Sequence, residues 1–192
     1  MQSANLTPRQ QAILMARKVL QVKPLFIDTE TTGLDRNAEI VEIAIIDHDG
    51  SILMDSLIRP VREIPRDAMR VHHISNEMVA NARSWPVLWP DLRAILHGRL
   101  LAFYNEEFDM RMIRQTHEQF TPWKENFSTF CVMKLFAQFK GEWDPRRRGY
   151  RYFKLEDAGR DAKIPLPNSH RAADDTLLTR ALLEFIAANP IQ

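Results

Sequence analysis

The segment Leu25-Phe26-Ile27-Asp28-Thr29-Glu30-Thr31-Thr32-Gly33-Leu34 puts two carboxylates two residues apart at the end of an apolar run. On a strand, that spacing aims Asp28 and Glu30 at the same face. Like charges side by side on a sheet repel, and a divalent cation between them is the usual remedy. The fragment therefore reads as half of a metal site. A bare Asp-x-Glu also describes a solvated strand face, because about a quarter of the residues in ordinary proteins are charged. Here the context is different. Lys23-Pro24 starts the strand, Leu25, Phe26 and Ile27 give it a buried character, and Thr31-Thr32-Gly33-Leu34 turns the chain sharply afterwards.

A chain of 192 residues with 45% apolar side chains is expected to close one domain around a sizeable core. It contains no run of about 18 apolar residues and no apolar signal core, so the expectation is a cytoplasmic protein with no membrane partner. The single Cys131 excludes an intrachain disulfide framework and any multi-cysteine zinc site. Net charge is only +1, so attraction to nucleic acid has to come from a local patch. The candidate patch is Asp144-Pro145-Arg146-Arg147-Arg148-Gly149-Tyr150-Arg151-Tyr152-Phe153-Lys154. A solvated loop whose aromatics anchor the next helix is the plainer reading of that run.

Thr7-Pro8 forms a cap and first-turn pair, and Ile13, Leu14, Ala16, Val19 and Leu20 recur at helical spacing. Residues 1–22 are thus expected to be an N-terminal helical extension of a domain spanning 23–192. Gln21-Val22-Lys23-Pro24-Leu25-Phe26 superficially resembles a sliding-clamp-binding peptide, but Leu25 and Phe26 are needed in the strand core. Residues 40–46 and 51–58 flank Asp47-His48-Asp49-Gly50, a turn that makes them an antiparallel hairpin. A Pro-punctuated loop follows. Helices are then expected over 85–96, 105–118, 132–139, 155–162 and 172–187, with a short strand at 100–103. This order implies an α/β domain with a mixed sheet covered on its faces.

More acids leave a second buried strand in Phe103-Tyr104-Asn105-Glu106-Glu107-Phe108-Asp109. Asp109 lies one helical turn from Asn105, so the two can share a face while Phe108 and Met112 turn into packing. Glu106 and Glu107 suit the helix N-terminus electrostatically. The last cluster is His170-Arg171-Ala172-Ala173-Asp174-Asp175, an imidazole before a helix with two acids in its first turns. Helical periodicity leaves open which of Asp174 and Asp175 points inward, and an inward acid needs a partner such as a metal. Among the other histidines, His48, His97 and His117 suit surface positions. His72 and His73, ahead of the helix start Ser75-Asn76-Glu77-Met78, suit structural roles.

Taken in order, the segments 26–34, 105–109 and 170–175 resemble the motifs of the DEDDh group of 3′-to-5′ exonucleases, and the resemblance covers residues 24–187. The family's His-x-x-x-x-Asp spacing selects Asp175 over Asp174. Val71-His72-His73-Ile74-Ser75 resembles the family's Val-His-Gly-Ile-Thr, with His73 where Gly is common. Two departures bear on substrate class: Tyr104 replaces the frequent His of a His-Asn pair, and Thr129-Phe130-Cys131 lacks an Asp often found before the next helix.

The resemblance implies an RNase H-like fold with a five-stranded mixed sheet and the site at its edge. It implies that Asp28, Glu30, Asp109 and Asp175 hold two divalent ions, Mg²⁺ or Mn²⁺, which all-oxygen ligation suits, and that His170 is the general base. It also implies substrate contacts from Thr31, Leu34, His73, Ile74, Asn105 and Phe108. The expected activity is removal of nucleoside monophosphates from single-stranded or frayed 3′ ends, most simply of DNA, with RNA trimming as the alternative. A catalytically silent nucleic-acid-binding module needs none of these five residues together. With no polymerase module in the chain, a free-standing enzyme or a small subunit of a polymerase or other nucleic-acid-processing complex is expected.

Overall fold

The computed structural model describes residues 6–165 and 170–191. Residues 1–5 of the expected N-terminal extension, and Pro167, Asn168 and Ser169 ahead of His170, lie outside the described residues. Helix α1 (Pro8–Gln21) starts at a capping box in which Thr7 and Gln10 satisfy each other's backbone N–H groups. Strands β1 (Leu25–Thr31), β2 (Ile40–Ile46) and β3 (Ile52–Leu57) form an antiparallel meander. The loop after β3 contains two short helices, α2 (Arg66–His72) and α3 (Asn76–Val79), the second capped by Ser75 as its sequence implied. Then follow α4 (Trp85–Leu96), β4 (Leu100–Phe103), α5 (Glu106–Glu118), β5 (Ser128–Cys131) and α6 (Val132–Lys140). A small hairpin, β6 (Trp143–Asp144) with β7 (Gly149–Tyr150), precedes α7 (Leu155–Asp161) and α8 (Ala172–Ala188).

The five-stranded sheet has the order β3-β2-β1-β4-β5, with β4 and β5 parallel to β1. This is the mixed α/β sheet expected from the sequence. The alternation of strand residues sorts its two faces. Phe26 and Ala102 pack with α1, α6, α7 and α8, whereas Leu25, Ile27, Leu101 and Phe103 pack with α4 and α5. Leu25 and Phe26 are fully buried, so they belong to the core and not to a clamp-binding peptide. Helix α1 shares its core with α6 and α8 through Ala12, Ile13, Ala16 and Val19.

Because Asp28 and Glu30 have the parity of Phe26, they face α8, while Thr29 faces the α5 side. The site therefore lies where the sheet ends, at the C-terminal end of its central strand β1. A register shift between Glu30 and Thr31 ends the regular pairing there. Helix α7 meets α8 at Gly159, where a Cβ would stand 2.9 Å from Leu178 Cδ1. A side chain at this position would push against Leu178 of α8. No described helix is long and apolar enough to cross a membrane.

Candidate active site

Asp28, Glu30, Asp109, His170 and Asp175 line one cavity of about 220 Å³, together with Thr29, Tyr104, Asn105, Phe108 and Leu155. Each acid arrives from a different constraint. Asp28 and Glu30 come from the pleat of β1, Asp109 from the first turn of α5, and Asp175 from the first turn of α8. Carboxylate oxygens of Asp28, Glu30 and Asp175 lie within 4.8 Å of one another. Thr29 Oγ1 donates to Asp109 Oδ1 at 2.8 Å, so the opposite face of the same strand orients the fourth acid.

Burial and crowding leave these acids reluctant to ionise. Desolvation, then repulsion from Asp109, Glu30 and Asp175, holds the Asp28 pKa well above its ordinary value. Burial, then Asp175 and Glu42, pushes Glu30 up to about 9. Asp109, despite its Thr29 hydrogen bond, rises to about 7 by burial, and Asp175 reaches about 7 through burial with Asp174 and Glu42 as neighbours. Asp175 Oδ1 is buried without a hydrogen-bond partner among the described residues. Three converging carboxylates and an orphaned oxygen fit a hard divalent cation, which would neutralise the cluster and bind its oxygens.

Two residues that sequence reasoning did not assign to the site anchor α8. Glu42 lies directly across the β1/β2 pair from Glu30 and is 1% exposed. Residues paired this way share a face. The Arg171 Nε donates to Glu42 Oε1 and Oε2 at 3.0 and 3.1 Å, and its Nη2 also donates to Oε1. The backbone N–H of Ala172 donates to Glu42 Oε2 at 2.9 Å. One carboxylate thus grips the first turn of α8, between His170 and Asp175. The available signal was an acid inside the otherwise apolar run Ile40-Val41-Glu42-Ile43-Ala44-Ile45-Ile46.

The structure places the other expected residues unevenly. Leu34 is 76% exposed and, with Asn105, Phe108, His170 and Asp175, lines an adjoining cavity of about 630 Å³. Phe108 also packs on the α4/α5 core, so it serves both the packing and the cavity. Ile74 is fully buried against Val41, Ile64 and Val79, so the expected substrate contact from it is corrected to a core role. His73 faces a separate cavity with Arg66, Met69 and Arg70. Its φ of 60° caps α2 in the left-handed region, which accounts for the glycine common there. The Thr31 hydroxyl is spent on the Gly33 carbonyl at 2.8 Å, and Thr31 lines neither acid-bearing cavity. His72 is buried, and its Nδ1 accepts from the Ile74 N–H at 3.0 Å. His117, expected at the surface, is 8% exposed and accepts from Trp85 Nε1, its ring packed against Trp89 and Trp123.

The comparisons with known proteins agree with this geometry. The profile of the exonuclease family matches residues 25–183. An uncharacterised exonuclease, CP81, of Escherichia phage 186 is 35% identical over 90% of this chain and 92% of its own length. The DNA polymerase III subunit epsilon of Treponema pallidum (strain Nichols) is 24% identical over 84% of this chain and 75% of its own. Among solved structures, exonuclease X in complex with 5′ overhanging duplex DNA superposes with a TM-score of 0.60 at 30% identity, covering 84% of this chain and 89% of that one. The nuclease domain of 3′hExo, a DEDDh family member bound to rAMP, shares the fold with a TM-score of 0.67 at 15% identity, covering 83% and 88%. The fold is RNase H-like, and the chain belongs to the exonuclease family.

Proposed function

We propose that this enzyme is a metal-dependent 3′-to-5′ exonuclease that removes nucleoside 5′-monophosphates from single-stranded or frayed DNA ends. The observation that carries the reading is the convergence of Asp28, Glu30, Asp109 and Asp175 with His170 on one cavity. Two divalent ions, Mg²⁺ or Mn²⁺, held by these four acids would supply Lewis acidity to the phosphate and stabilise charge on the leaving oxygen. His170, exposed at the cavity rim, takes a proton from the attacking water. The water oxygen bonds to phosphorus, and the bond from phosphorus to the 3′ oxygen of the preceding nucleotide breaks. That oxygen then gains a proton from solvent. Leu34, Asn105 and Phe108 line the place where the terminal nucleotide would sit.

The resemblance to exonuclease X, whose structure holds DNA, favours DNA as substrate, and the epsilon-subunit relatives favour association with a polymerase. The test uses single-stranded DNA and RNA of one sequence, labelled at either end, with Mg²⁺ or with chelator. A 3′ label leaving as mononucleotide while a 5′ label gives a shrinking ladder is the expected result, on DNA faster than on RNA. Equal rates in chelator and Mg²⁺ would exclude the metal mechanism, and mononucleotide from the 5′ label would reverse the direction.

A further inference from the structure

Between α6 and α7 the chain projects the β6/β7 hairpin, with Pro145-Arg146-Arg147-Arg148 at its tip. The turn is built, not loose. Asp144 Oδ1 accepts the Arg146 N–H at 2.9 Å, Arg148 takes a φ of 51°, and the Arg151 N–H closes the base on the Glu142 carbonyl at 2.8 Å. Arg147 stands 3.7 Å from Asp144 and 4.6 Å over the Tyr152 ring. Arg151 stands 3.4 Å from Glu142 and 5.3 Å over the Phe153 ring. The side chains of Arg146 and Arg148 are exposed and have no protein partner among the described residues. Beside them Trp143, 61% exposed, meets Tyr150 edge-on at 6.0 Å.

Four arginines against two acids make a local concentration of positive charge on a protein whose net charge is +1. An exposed tryptophan among them adds a flat face. Arginines with an aromatic platform match single-stranded nucleic acid, whose phosphates and bases alternate at short range. The hairpin also has a fixed place. Phe153 and Lys154 line the larger cavity with Leu34, His170 and Asp175. The Tyr104 hydroxyl donates to the Phe153 carbonyl at 2.6 Å, which ties the hairpin's outgoing strand to the site wall. Tyr150 is three residues from Phe153, at most about 10 Å of extended chain.

We infer that this hairpin holds the strand upstream of the nucleotide being removed, with phosphates on Arg146, Arg147 and Arg148 and a base stacked on Trp143. The inference rests on the exonuclease reading of the neighbouring cavity. Its test measures binding apart from cleavage. A labelled thymidylate dodecamer is titrated in chelator, and affinity is followed by anisotropy across salt. Hydrolysis of the p-nitrophenyl ester of thymidine 5′-monophosphate in Mg²⁺ reports the cavity alone.

Replacing Arg146, Arg147 and Arg148 together by Ala is expected to weaken dodecamer binding at least tenfold at about 50 mM salt. The slope of log affinity against log salt should flatten by about 2, at roughly 0.7 per lost single-strand phosphate contact. Trp143→Ala should weaken binding about fivefold to 100-fold with the slope unchanged, as for one lost base stack. Both variants should hydrolyse the ester at the wild-type rate, and a triple Lys variant should keep the salt slope. Unchanged affinity and slope would overturn the inference, as would equal losses on ester and dodecamer, a loss confined to duplex, or no dodecamer binding by the wild type. If the wild type hydrolyses nothing, the exonuclease reading fails, while the anisotropy still decides whether the hairpin binds the strand.

Discussion

Glu42→Gln removes one charge from the buried carboxylate that grips α8 while keeping its shape, and its consequences follow from the contacts. The native carboxylate accepts from Arg171 Nε and Nη2 and from the Ala172 N–H. Breaking a fully buried ion pair costs about 3 to 5 kcal/mol. The Arg171 side chain is 40% exposed and can turn to water, and glutamine still offers one acceptor to Ala172. The cost should accordingly fall to about 1 to 3 kcal/mol, near that of one charged hydrogen bond. For a chain of this size that lowers the melting temperature by roughly 2 to 12 °C. An opposing effect exists, because Glu42 also repels Glu30 across the strand pair. Arg171 already offsets that repulsion, so the lost anchor dominates. Since His170 and Asp175 flank the gripped turn, an ångström of drift there should cost about 100-fold in kcat. The assay is ester hydrolysis at saturating Mg²⁺ beside a melting curve, with Arg171→Lys expected to fall between wild type and Glu42→Gln. The reasoning is refuted if Glu42→Gln keeps the wild-type kcat, or if only KM changes.

The acid cluster sets a pH dependence. The folded pKa values lie above the ordinary ones, so without metal the site favours protonated carboxyls; that contribution is complete below about pH 4 and is lost as pH rises through about 7 for Asp109 and Asp175 and about 9 for Glu30. The melting temperature in chelator should therefore drop between pH 5 and pH 9, and added Mg²⁺ should raise it more at pH 9; a larger Mg²⁺ shift at pH 5 would contradict this. His170→Ala should lower the rate about 100-fold or more, yet move the melting temperature little because the ring is exposed, and a stability loss with normal turnover would make His170 structural. Gly159→Ala should cost about 1 to 3 kcal/mol by forcing Leu178 away, read as a lower midpoint in urea with an unchanged slope, and an unaffected midpoint would show that α8 can yield.

Local chemistry made much of this molecule legible in one dimension. The cap Thr7-Pro8, the αL-tolerant turn 47–50, the apolar periods of α4, α5 and α8, and the period-2 placing of Asp28 and Glu30 depend on neighbours within a turn or a hairpin. A strand has only two faces and a helix one apolar stripe, so these elements could be read without their partners. The resemblance to a known family then singled out Asp175. Glu42 and Arg171 escaped because their bond spans 129 residues of sequence, and an acid in an apolar strand has no local signature of what will neutralise it. The same reason governs the errors. Ile74 is apolar beside a turn, which suits either a substrate contact or a core. His117 stands near a helix end, and only the packing of Trp85, Trp89 and Trp123 around it decided that it is buried. Pattern fixes which face of an element is apolar; which other element covers that face is decided by packing over the whole chain, and here that packing brought α8 over Asp28 and Glu30 and closed the site.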